Sequence, residues 1–471
     1  MKNISKALSV ILGIVVAAPY AWAGATETYL KRCASCHHPQ RYGISAPPLI
    51  PEYLGRKKEK DIAGIISNGL PATNMPAFKG QLSEGEINEL ASYVLTPAEK
   101  PVWGVDEMLS TLKVSYNAPS DKKSPYDLTN FFMIVEGGAG KVHFMDGDSF
   151  TLLDSIRAGA IHGGPKFDKD LRFSYIVSRD GWVTKYDIVG LKEAGRLRAG
   201  ISSRNIAISS DSRYLAIANL LPDNVVLIDT TTMKPVRTIE ADGAFGAVYS
   251  LRDKGEFVVA MRDSPEILVI DDKTFAVRKI NIDQPFTDFF IEPGERYLVG
   301  TSREGTHITV VDVEKGEIYR TIKSDTGMPH LASAAVWQVN GSAFAAFPHI
   351  GKPLITVLDM TTWTVKKEIK IKGPGFFART HDLIPHLWVD TGTDTIQLID
   401  KKTLEVSGEV VPEKGKKAMH IEFTKDGGRA LVSVWEDDGA VKIYDTKTLG
   451  LIKSLPFKKP VGKYNATNKK F

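Results

Sequence analysis

The only two cysteines of the 471-residue chain lie close together near its N-terminus, in the segment YLKRCASCHHPQ. Cys33 and Cys36 are separated by two residues, and His37 follows directly. This spacing is the attachment signature of heme c, in which both thiols form thioethers and the histidine ligates the iron. The alternatives are a redox dithiol, which does not need the histidine, and half of a zinc site. A zinc site needs a second Cys or His pair at nearby spacing, which the segment lacks.

The residues around this motif are typical of a small helical cytochrome. Ser83 and Glu86 form a capping-box pattern at the start of SEGEINELASYVLTP, whose apolar residues share one helical face. Met75 lies in a proline-containing loop, where its thioether could be the sixth iron ligand and raise the reduction potential. Its alternative role is that of an ordinary core methionine. The segment resembles an all-α class I cytochrome c domain over residues 24–100.

The N-terminal segment predicts export of the chain, and the net charge bears on its binding partners. Lys2 and Lys6 precede the apolar run ALSVILGIVVAA, and Ala21-Trp22-Ala23 fits a small-x-small cleavage site. We therefore predict a cleaved signal peptide over residues 1–23, with an uncleaved anchor as the alternative. No later stretch approaches about 18 uninterrupted apolar residues, so the mature chain should have no membrane span. A net charge of +4 gives no reason to expect nucleic-acid binding.

The other three-quarters of the chain repeats. Apolar runs end in an aspartate at intervals of 41 to 47 residues, and these aspartates are Asp146, Asp187, Asp229, Asp271, Asp312, Asp359, Asp400 and Asp445. Units of this length predict an all-β eight-bladed β-propeller over residues 129–471, closed by pairing of the two chain ends in one blade. Seven blades with one degenerate repeat is the alternative. Residues 101–128 form a linker in this interpretation, and the aspartates form turns.

Five histidines fall in loops between the predicted strands, and they are His162, His330, His349, His381 and His420. A single loop histidine is ordinarily a hydrogen-bonded surface residue. Five of them on a propeller that follows a heme domain indicate a second site, because functional residues concentrate on the loops of such scaffolds.

This domain order resembles the family of cytochrome cd1 nitrite reductase and its relatives in heme d1 biosynthesis, over essentially the whole mature chain. The segment AIHGGPKF resembles the one that carries the proximal ligand of heme d1, which implies that role for His162. TGMPHLAS implies a second axial or distal role for His330, and PHIGKP and RTHDLIPH place His349 and His381 near the macrocycle. The C-terminal KPVGKYNATN also resembles the family. A non-covalent heme d1, or its dihydro precursor, is therefore expected beside the covalent heme c.

The family resemblance also has a departure. Nitrite reductases of this family have a second distal histidine in a region where this chain, QPFTDFFIEPGERYLV, offers Asp288 and no histidine. Reduction of nitrite to nitric oxide requires two protons delivered to one oxygen, so this loss weakens that chemistry. The chain is more similar to the periplasmic dihydro-heme d1 dehydrogenases. These oxidise a propionate side chain of the precursor to an acrylate, and their electrons pass to heme c.

The resemblance implies roles for several further residues. Arg204 and Arg262, with Arg379 as a third, match positions of arginines that bind the macrocycle carboxylates. We interpret His420 as the catalytic base, because nitrite reductases have no histidine there and imidazole titrates in the right range. Tyr464 is its expected partner, although a tyrosine would need a lowered pKa to accept a proton.

The same features leave two other functions open, a true cytochrome cd1 nitrite reductase and a non-catalytic carrier of heme d1. The missing distal histidine argues against the first, and the heme c argues against the second.

The expected partners are the heme d1 precursor as substrate, an external electron acceptor and, transiently, cytochrome cd1 nitrite reductase. The sequence does not decide which of His162 and His330 ligates which face of the macrocycle, or whether both bind at once.

Overall fold

The computed structural model describes residues 23–44, 46–54, 57–69, 75–99, 101–115, 123–241, 243–302, 305–324, 327–339 and 341–468. The chain divides into two compact units, residues 1–100 and 101–471. The predicted signal peptide lies outside the described residues except for its last one. Within the described part, no helix combines the length and the apolar character needed to cross a membrane.

The first unit is helical, with helices Ala23–Arg32, Ala34–His37, Pro51–Leu54, Glu59–Asn68 and Glu84–Val94. The last of these helices begins with the predicted capping box. Its Ser83 hydroxyl accepts a hydrogen bond from the Glu86 amide at 3.2 Å, and the Glu86 carboxylate accepts one from the Ser83 amide at 2.8 Å. The apolar face of this helix is buried and packs in the core of the unit with Tyr29. The predicted all-α cytochrome fold is confirmed.

The second unit is a propeller, and its described residues form eight antiparallel sheets. Blade 1 contains Phe131–Glu136, Lys141–Asp146, Thr151–Arg157 and Pro460–Asn465. Blade 2 contains Lys166–Phe167, Phe173–Val177, Trp182–Asp187 and Lys192–Arg198. Blade 3 contains Ser202–Ile208, Tyr214–Leu221, Asp223–Asp229 and Pro235–Ile239. Blade 4 contains Phe245–Leu251, Glu256–Met261, Glu266–Asp271 and Val277–Asn281.

The remaining blades continue the pattern. Blade 5 contains Asp288–Ile291, Tyr297–Thr301, His307–Asp312 and Glu317–Lys323. Blade 6 contains Ala335–Val339, Ser342–Pro348, Leu354–Asp359 and Thr364–Lys370. Blade 7 contains Ala378–Arg379, His386–Asp390, Ile396–Asp400 and Val406–Val410. Blade 8 contains Ala418–Phe423, Arg429–Val434, Ala440–Asp445 and Leu451–Pro456. Two short 3-10 helices, Leu128–Asn130 and Leu331–Ser333, precede blades 1 and 6. The predicted eight-bladed propeller is confirmed.

The two chain ends close the ring in blade 1. The C-terminal strand Pro460–Asn465 pairs antiparallel with Phe131–Glu136, so that Tyr464 lies opposite Met133. The C-terminal strand is the inner strand of this blade, and it approaches the inner strand Ala418–Phe423 of blade 8. Closure therefore brings the C-terminal segment beside the predicted base, His420.

The recurring aspartates form turns, as the sequence predicts. The carboxylate of Asp271 accepts the amide hydrogens of Lys273 at 3.0 Å and Thr274 at 2.6 Å. In seven of the eight aspartates, the carboxylate accepts hydrogen bonds from the amides of the residues two and three positions later. The carboxylate of Asp312 accepts a hydrogen bond from the amide three positions later. This is the ordinary Asx-turn, in which a short carboxylate replaces a backbone acceptor.

The segment predicted as a linker is in part a component of the propeller unit. Residues 101–115 contain helix Val105–Ser110 and strand Lys113–Val114, which pairs with Lys192–Arg198 as a fifth strand of blade 2. Met108 is 1% exposed and packs in the core of blades 2 and 3, with Trp103 and Leu112 against the same core. The added strand covers an edge of blade 2 that would otherwise present unpaired backbone groups.

We expect Met108→Ala to lower the free energy of unfolding of the propeller unit by about 2–5 kcal/mol, because it leaves a cavity in a closed core. Urea unfolding followed by tryptophan fluorescence measures this change. Val102→Ala is the control, since Val102 is 81% exposed in the same segment. Equal effects of the two substitutions would show that the segment behaves as a free linker.

Candidate active site

In the Cys-x-x-Cys-His segment, the imidazole of His37 is held in the tautomer that a heme iron ligand needs. The His37 Nδ1 atom lies 2.9 Å from the carbonyl oxygen of Pro47. A carbonyl only accepts, so Nδ1 carries the hydrogen and Nε2 keeps a lone pair for a metal. Burial lowers the pKa of His37, which favours this neutral form. Cys33 and Cys36 are free thiols, and Met75 packs partly buried against the same apolar cluster as Cys33. These residues fit heme c, which both thiols would attach and His37 would ligate, and Met75 stays the predicted sixth ligand.

In the propeller unit, the loop that enters blade 2 presents His162. Gly163 and Gly164 follow it with φ angles of +82° and +71°, which favour glycine. A Cβ atom on Gly163 would lie 2.6 Å from Cβ of Asn205, and one on Gly164 would lie 2.6 Å from the ring of Tyr464. The two glycines therefore let the His162 loop pack closely against blade 3 and the C-terminal strand.

The imidazole of His162 is oriented by the same type of contact as that of His37. Its Nδ1 lies 2.9 Å from the carbonyl oxygen of Arg204, so Nδ1 donates and Nε2 keeps its lone pair. Burial, followed by the positive charges of Arg179 and Arg204, lowers the pKa of His162 well below its usual value. A neutral imidazole with a fixed tautomer fits an axial ligand of a second macrocycle.

Arg179 and Arg204 lie near this histidine, and Arg262 lies near Arg179. Burial, together with the charges of Arg204 and Arg262, lowers the pKa of Arg179. The Arg179 amide donates to the carbonyl of Ala160 at 2.8 Å, which ties this arginine to the His162 loop. Like charges that are crowded at a partly buried position favour an anionic ligand, and guanidinium groups bind carboxylates in bidentate fashion. Arg204 and Arg262 are thus brought together as the resemblance implies. Sequence reasoning missed Arg179, which lies two residues after the blade 2 strand Phe173–Val177.

His330 lies near His162, since its charge lowers the pKa of His162. Its Nδ1 lies 2.8 Å from the Ser333 hydroxyl and 2.9 Å from the carbonyl oxygen of Phe376. The Ser333 hydroxyl donates to the same carbonyl at 2.6 Å, so Nδ1 is the donor in both of its contacts. Its Nε2 is 3.7 Å from the Asp288 carboxylate, which accepts the Ala332 amide at 2.7 Å. Burial raises the pKa of Asp288, and His330 lowers it. The aspartate that distinguishes this chain from the nitrite reductase pattern is therefore paired with the predicted distal histidine.

His420 and Tyr464 meet at the junction of blades 8 and 1. Their ring centroids are 5.5 Å apart with an interplanar angle of 74°, and the ring of Phe377 lies 4.7 Å from that of His420. Burial raises the pKa of Tyr464 to about 12, while Arg379 lowers it. The phenol therefore stays protonated near neutral pH. A protonated phenol favours hydrogen-bond donation over proton acceptance by Tyr464.

Arg379 connects these groups from the inner strand of blade 7. Its guanidinium donates to the carbonyl of Ser333 at 3.1 Å and lies 5.9 Å from the ring of Phe377. Tyr249, which the sequence analysis did not select, lies among the charges of Asp288, Arg204 and Arg379. Burial raises the pKa of Tyr249 to about 12, so it too is a donor.

Two predicted residues do not join this group. His349 is 0% exposed, and its Nε2 lies 2.8 Å from the Thr356 hydroxyl, behind the loop that carries His330. His381 follows the inner strand of blade 7, whereas Phe376, which contacts His330, precedes it. The His381 ring therefore lies at the other end of that strand, with Nε2 3.1 Å from the Lys425 carbonyl oxygen. His349 is thus buried beside the segment that carries His330, whereas His381 lies away from it, and the expectation that both lie near the macrocycle stays a prediction.

Comparisons with known proteins agree with this geometry. Residues 126–469 match the family model of the cytochrome D1 heme domain, and residues 21–94 match that of cytochrome C oxidase, cbb3-type, subunit III. The chain is 38% identical to the dihydro-heme d1 dehydrogenase of Pseudomonas aeruginosa, over 100% of this chain and 98% of that protein. It is 24% identical to the nitrite reductase of Stutzerimonas stutzeri, over 97% of this chain and 96% of that protein.

A solved structure of the dihydro-heme d1 dehydrogenase NirN in complex with DHE is similar, with a TM-score of 0.82 and 37% sequence identity. The match covers 95% of this chain and 100% of that one. The overall fold of this chain is thus similar to that of a solved dehydrogenase structure. The chain belongs to the cytochrome D1 heme domain family, with a cytochrome c domain at its N-terminus.

Proposed function

We propose that this protein is a dihydro-heme d1 dehydrogenase, which oxidises a propionate side chain of dihydro-heme d1 to the acrylate of heme d1. The observation that carries the proposal is the meeting of His420 and Tyr464 beside the cluster of His162, Arg204 and Arg379. The 38% identity over the whole chain to a protein of that activity supports it. Nitrite reduction is less well supported, because Asp288 stands where the family's second distal histidine is expected.

The substrate is proposed to bind through its iron and its carboxylates. His162 is the axial ligand that the geometry favours, since Nε2 of His330 faces Asp288 instead. Arg179, Arg204 and Arg262 would hold carboxylates of the macrocycle through bidentate hydrogen bonds, with Arg379 as a fourth cation. The sequence expectation that His330 is a second iron ligand is replaced in this proposal by a role in proton acceptance.

The reaction removes two protons and two electrons as the CH2–CH2 bond of the propionate becomes CH=CH. His420 accepts one proton from a methylene carbon, and Tyr464 orients the side chain as a hydrogen-bond donor. The His330 and Asp288 pair is positioned to accept the second proton. A heme c held by Cys33, Cys36, His37 and Met75 would supply a one-electron acceptor, and an external electron acceptor would take up the two electrons in turn.

We also propose where the protein acts and what it meets. A cleaved signal peptide would export it to the periplasm, where heme c proteins are found. Its product is the cofactor of cytochrome cd1 nitrite reductase, so a transient complex with that enzyme, in denitrification, is the expected route of delivery.

One assay separates the candidate functions. The heme c-loaded protein is incubated with dihydro-heme d1 and, separately, with heme d1 and nitrite, and visible spectra and nitric oxide are followed. Conversion of the macrocycle without nitric oxide supports the dehydrogenase. Nitric oxide formation would identify a nitrite reductase, and binding without either reaction would identify a carrier.

We expect His420→Ala to bind dihydro-heme d1 with unchanged affinity but to lose at least about 100-fold in the rate of conversion, because general-base catalysis contributes 10²–10⁴-fold. Single-turnover spectra in the presence of an oxidant for heme c measure the rate. His143→Ala is the control, since His143 binds Glu136 on blade 1 at 2.8 Å. Full conversion by His420→Ala would overturn the assignment of the base.

We expect Arg179→Ala to weaken macrocycle binding about 10- to 100-fold, because it removes a partly buried cation from the proposed carboxylate site. Spectral titration measures the dissociation constant. Arg213→Ala is the matched control, since the Arg213 side chain is 64% exposed and lies 3.8 Å from Asp229 on a turn. Unchanged binding by Arg179→Ala would remove this arginine from the site.

A further inference from the structure

The backbone of His420 departs from the regular sheet. Its φ angle is +48°, a left-handed conformation that non-glycine residues rarely adopt. It is the extra residue of a β-bulge, because Met419 pairs with Ser433 and Ile421 pairs with the next residue, Val432. A bulge redirects a side chain and takes backbone groups out of the ladder. The amide and the carbonyl of His420 therefore need partners other than strand neighbours.

Two buried charged side chains supply these partners. The His420 amide donates to the carboxylate of Asp390, and the His420 carbonyl accepts from Nζ of Lys463. The same Nζ donates to the hydroxyl of Ser433 at 2.6 Å, on the strand opposite the bulge. Asp390 and Lys463 are both 0% exposed. We call Asp390 and Lys463 the bulge clamp.

Burying two ionisable side chains costs more free energy than the hydrogen bonds of a single peptide unit would require. Burial strongly lowers the pKa of Lys463, and Glu422 and Asp390 only partly oppose that effect. Burial likewise raises the pKa of Asp390 to about 6, against hydrogen bonds from the Phe376, His420 and Phe377 amides. Replacing such groups by apolar ones is often neutral for stability. Their presence here is better explained by the geometry that they impose.

Asp390 also reaches the second histidine of the site. Its carboxylate accepts the amide hydrogens of Phe376 at 2.6 Å and Phe377 at 3.0 Å. The ring of Phe377 packs on His420, and the carbonyl of Phe376 accepts Nδ1–H of His330. One carboxylate is thus connected to the positions of both His420 and His330.

We propose that Asp390 and Lys463 are positioning residues, which hold the His420 peptide in its bulge and thereby fix the imidazole beside Tyr464. This inference rests on the proposed function, in which His420 is the base. Neither residue needs to touch the substrate. A displacement of about 1 Å at a reacting group can lower a rate by about 100-fold, so loss of the clamp should act on the rate and not on binding.

The test uses Lys463→Met in the full chain carrying heme c, because methionine keeps an apolar side chain of similar length without the donor. We expect the rate of conversion to fall about 10- to 100-fold, with the dissociation constant for dihydro-heme d1 unchanged when heme c is kept reduced. In a double-mutant cycle with His420→Ala, Lys463→Met should cause no further loss. A rate within twofold of that of the unmodified protein would overturn the proposal, as would fully additive losses.

Lys185→Met is the matched control. Lys185 is also a buried lysine, 7% exposed, and its Nζ donates to the carbonyl of Thr230 at 2.8 Å, in a part of the propeller without the site histidines. The Lys185→Met variant should have a lower free energy of unfolding but an unchanged rate of conversion of dihydro-heme d1. Ser433→Ala, which removes only the hydroxyl partner of Lys463, should fold in any case and slow conversion by a smaller factor. An unchanged rate in Ser433→Ala and an equal loss of rate in Lys185→Met would each contradict the clamp.

Chemical modification of His420 is a second measurement, which does not require conversion of dihydro-heme d1. His420 is 2% exposed, so diethyl pyrocarbonate should modify its imidazole slowly. Peptide mass spectrometry should show at least about fivefold faster modification in Lys463→Met and no change in Lys185→Met. Unchanged modification would overturn the clamp. If the unmodified protein fails to convert dihydro-heme d1, the proposed function fails while this measurement still tests the clamp.

Discussion

The pairing of the C-terminal strand with blade 1 is the constraint on which the rest of the propeller unit depends. Without Pro460–Asn465 the ring of blades is open, and blade 1 lacks its inner strand. The same strand carries Tyr464 into the site and Lys463 beneath the His420 peptide. Closure of the fold and assembly of the proposed base are therefore one structural event, because residues more than 300 positions apart must pair before either is complete.

A single device orients three histidines of the chain. His37, His162 and His330 each direct Nδ1 at a backbone carbonyl, and this contact fixes the tautomer. The surroundings of Nε2 then distinguish the roles that we propose for His162 and His330. Nε2 of His330 faces the Asp288 carboxylate, whereas burial and two arginines keep His162 neutral. Similar contacts at Nδ1 are thus compatible with the two different roles proposed for these histidines, iron ligation by His162 and proton acceptance by His330.

The sequence predicted the features that depend on local spacing. Motifs predicted the heme signature and the capping box at Ser83, and the repeat length predicted the turn-forming aspartates and the number of blades. The structure agrees with these predictions. The resemblance to the dehydrogenases is also supported, with 38% identity to such a protein against 24% to a nitrite reductase. Features that depend on packing between distant segments were missed. Met108 lies in a segment rich in polar residues and proline, and only the tertiary core shows that it is buried.

The same limit applies to the residues of the candidate site. His381 lies in a loop that resembles a family segment, but a loop position does not tell at which end of a strand a side chain lies. Asp390 ends a strand in the same way as many structural aspartates, and no spacing rule connects it to His420. Residues that act through a backbone hydrogen bond leave no pattern of their own in a sequence, since any donor of suitable reach could serve. The signal that identifies them is structural, a strained residue whose displaced amide and carbonyl are both held by buried charges.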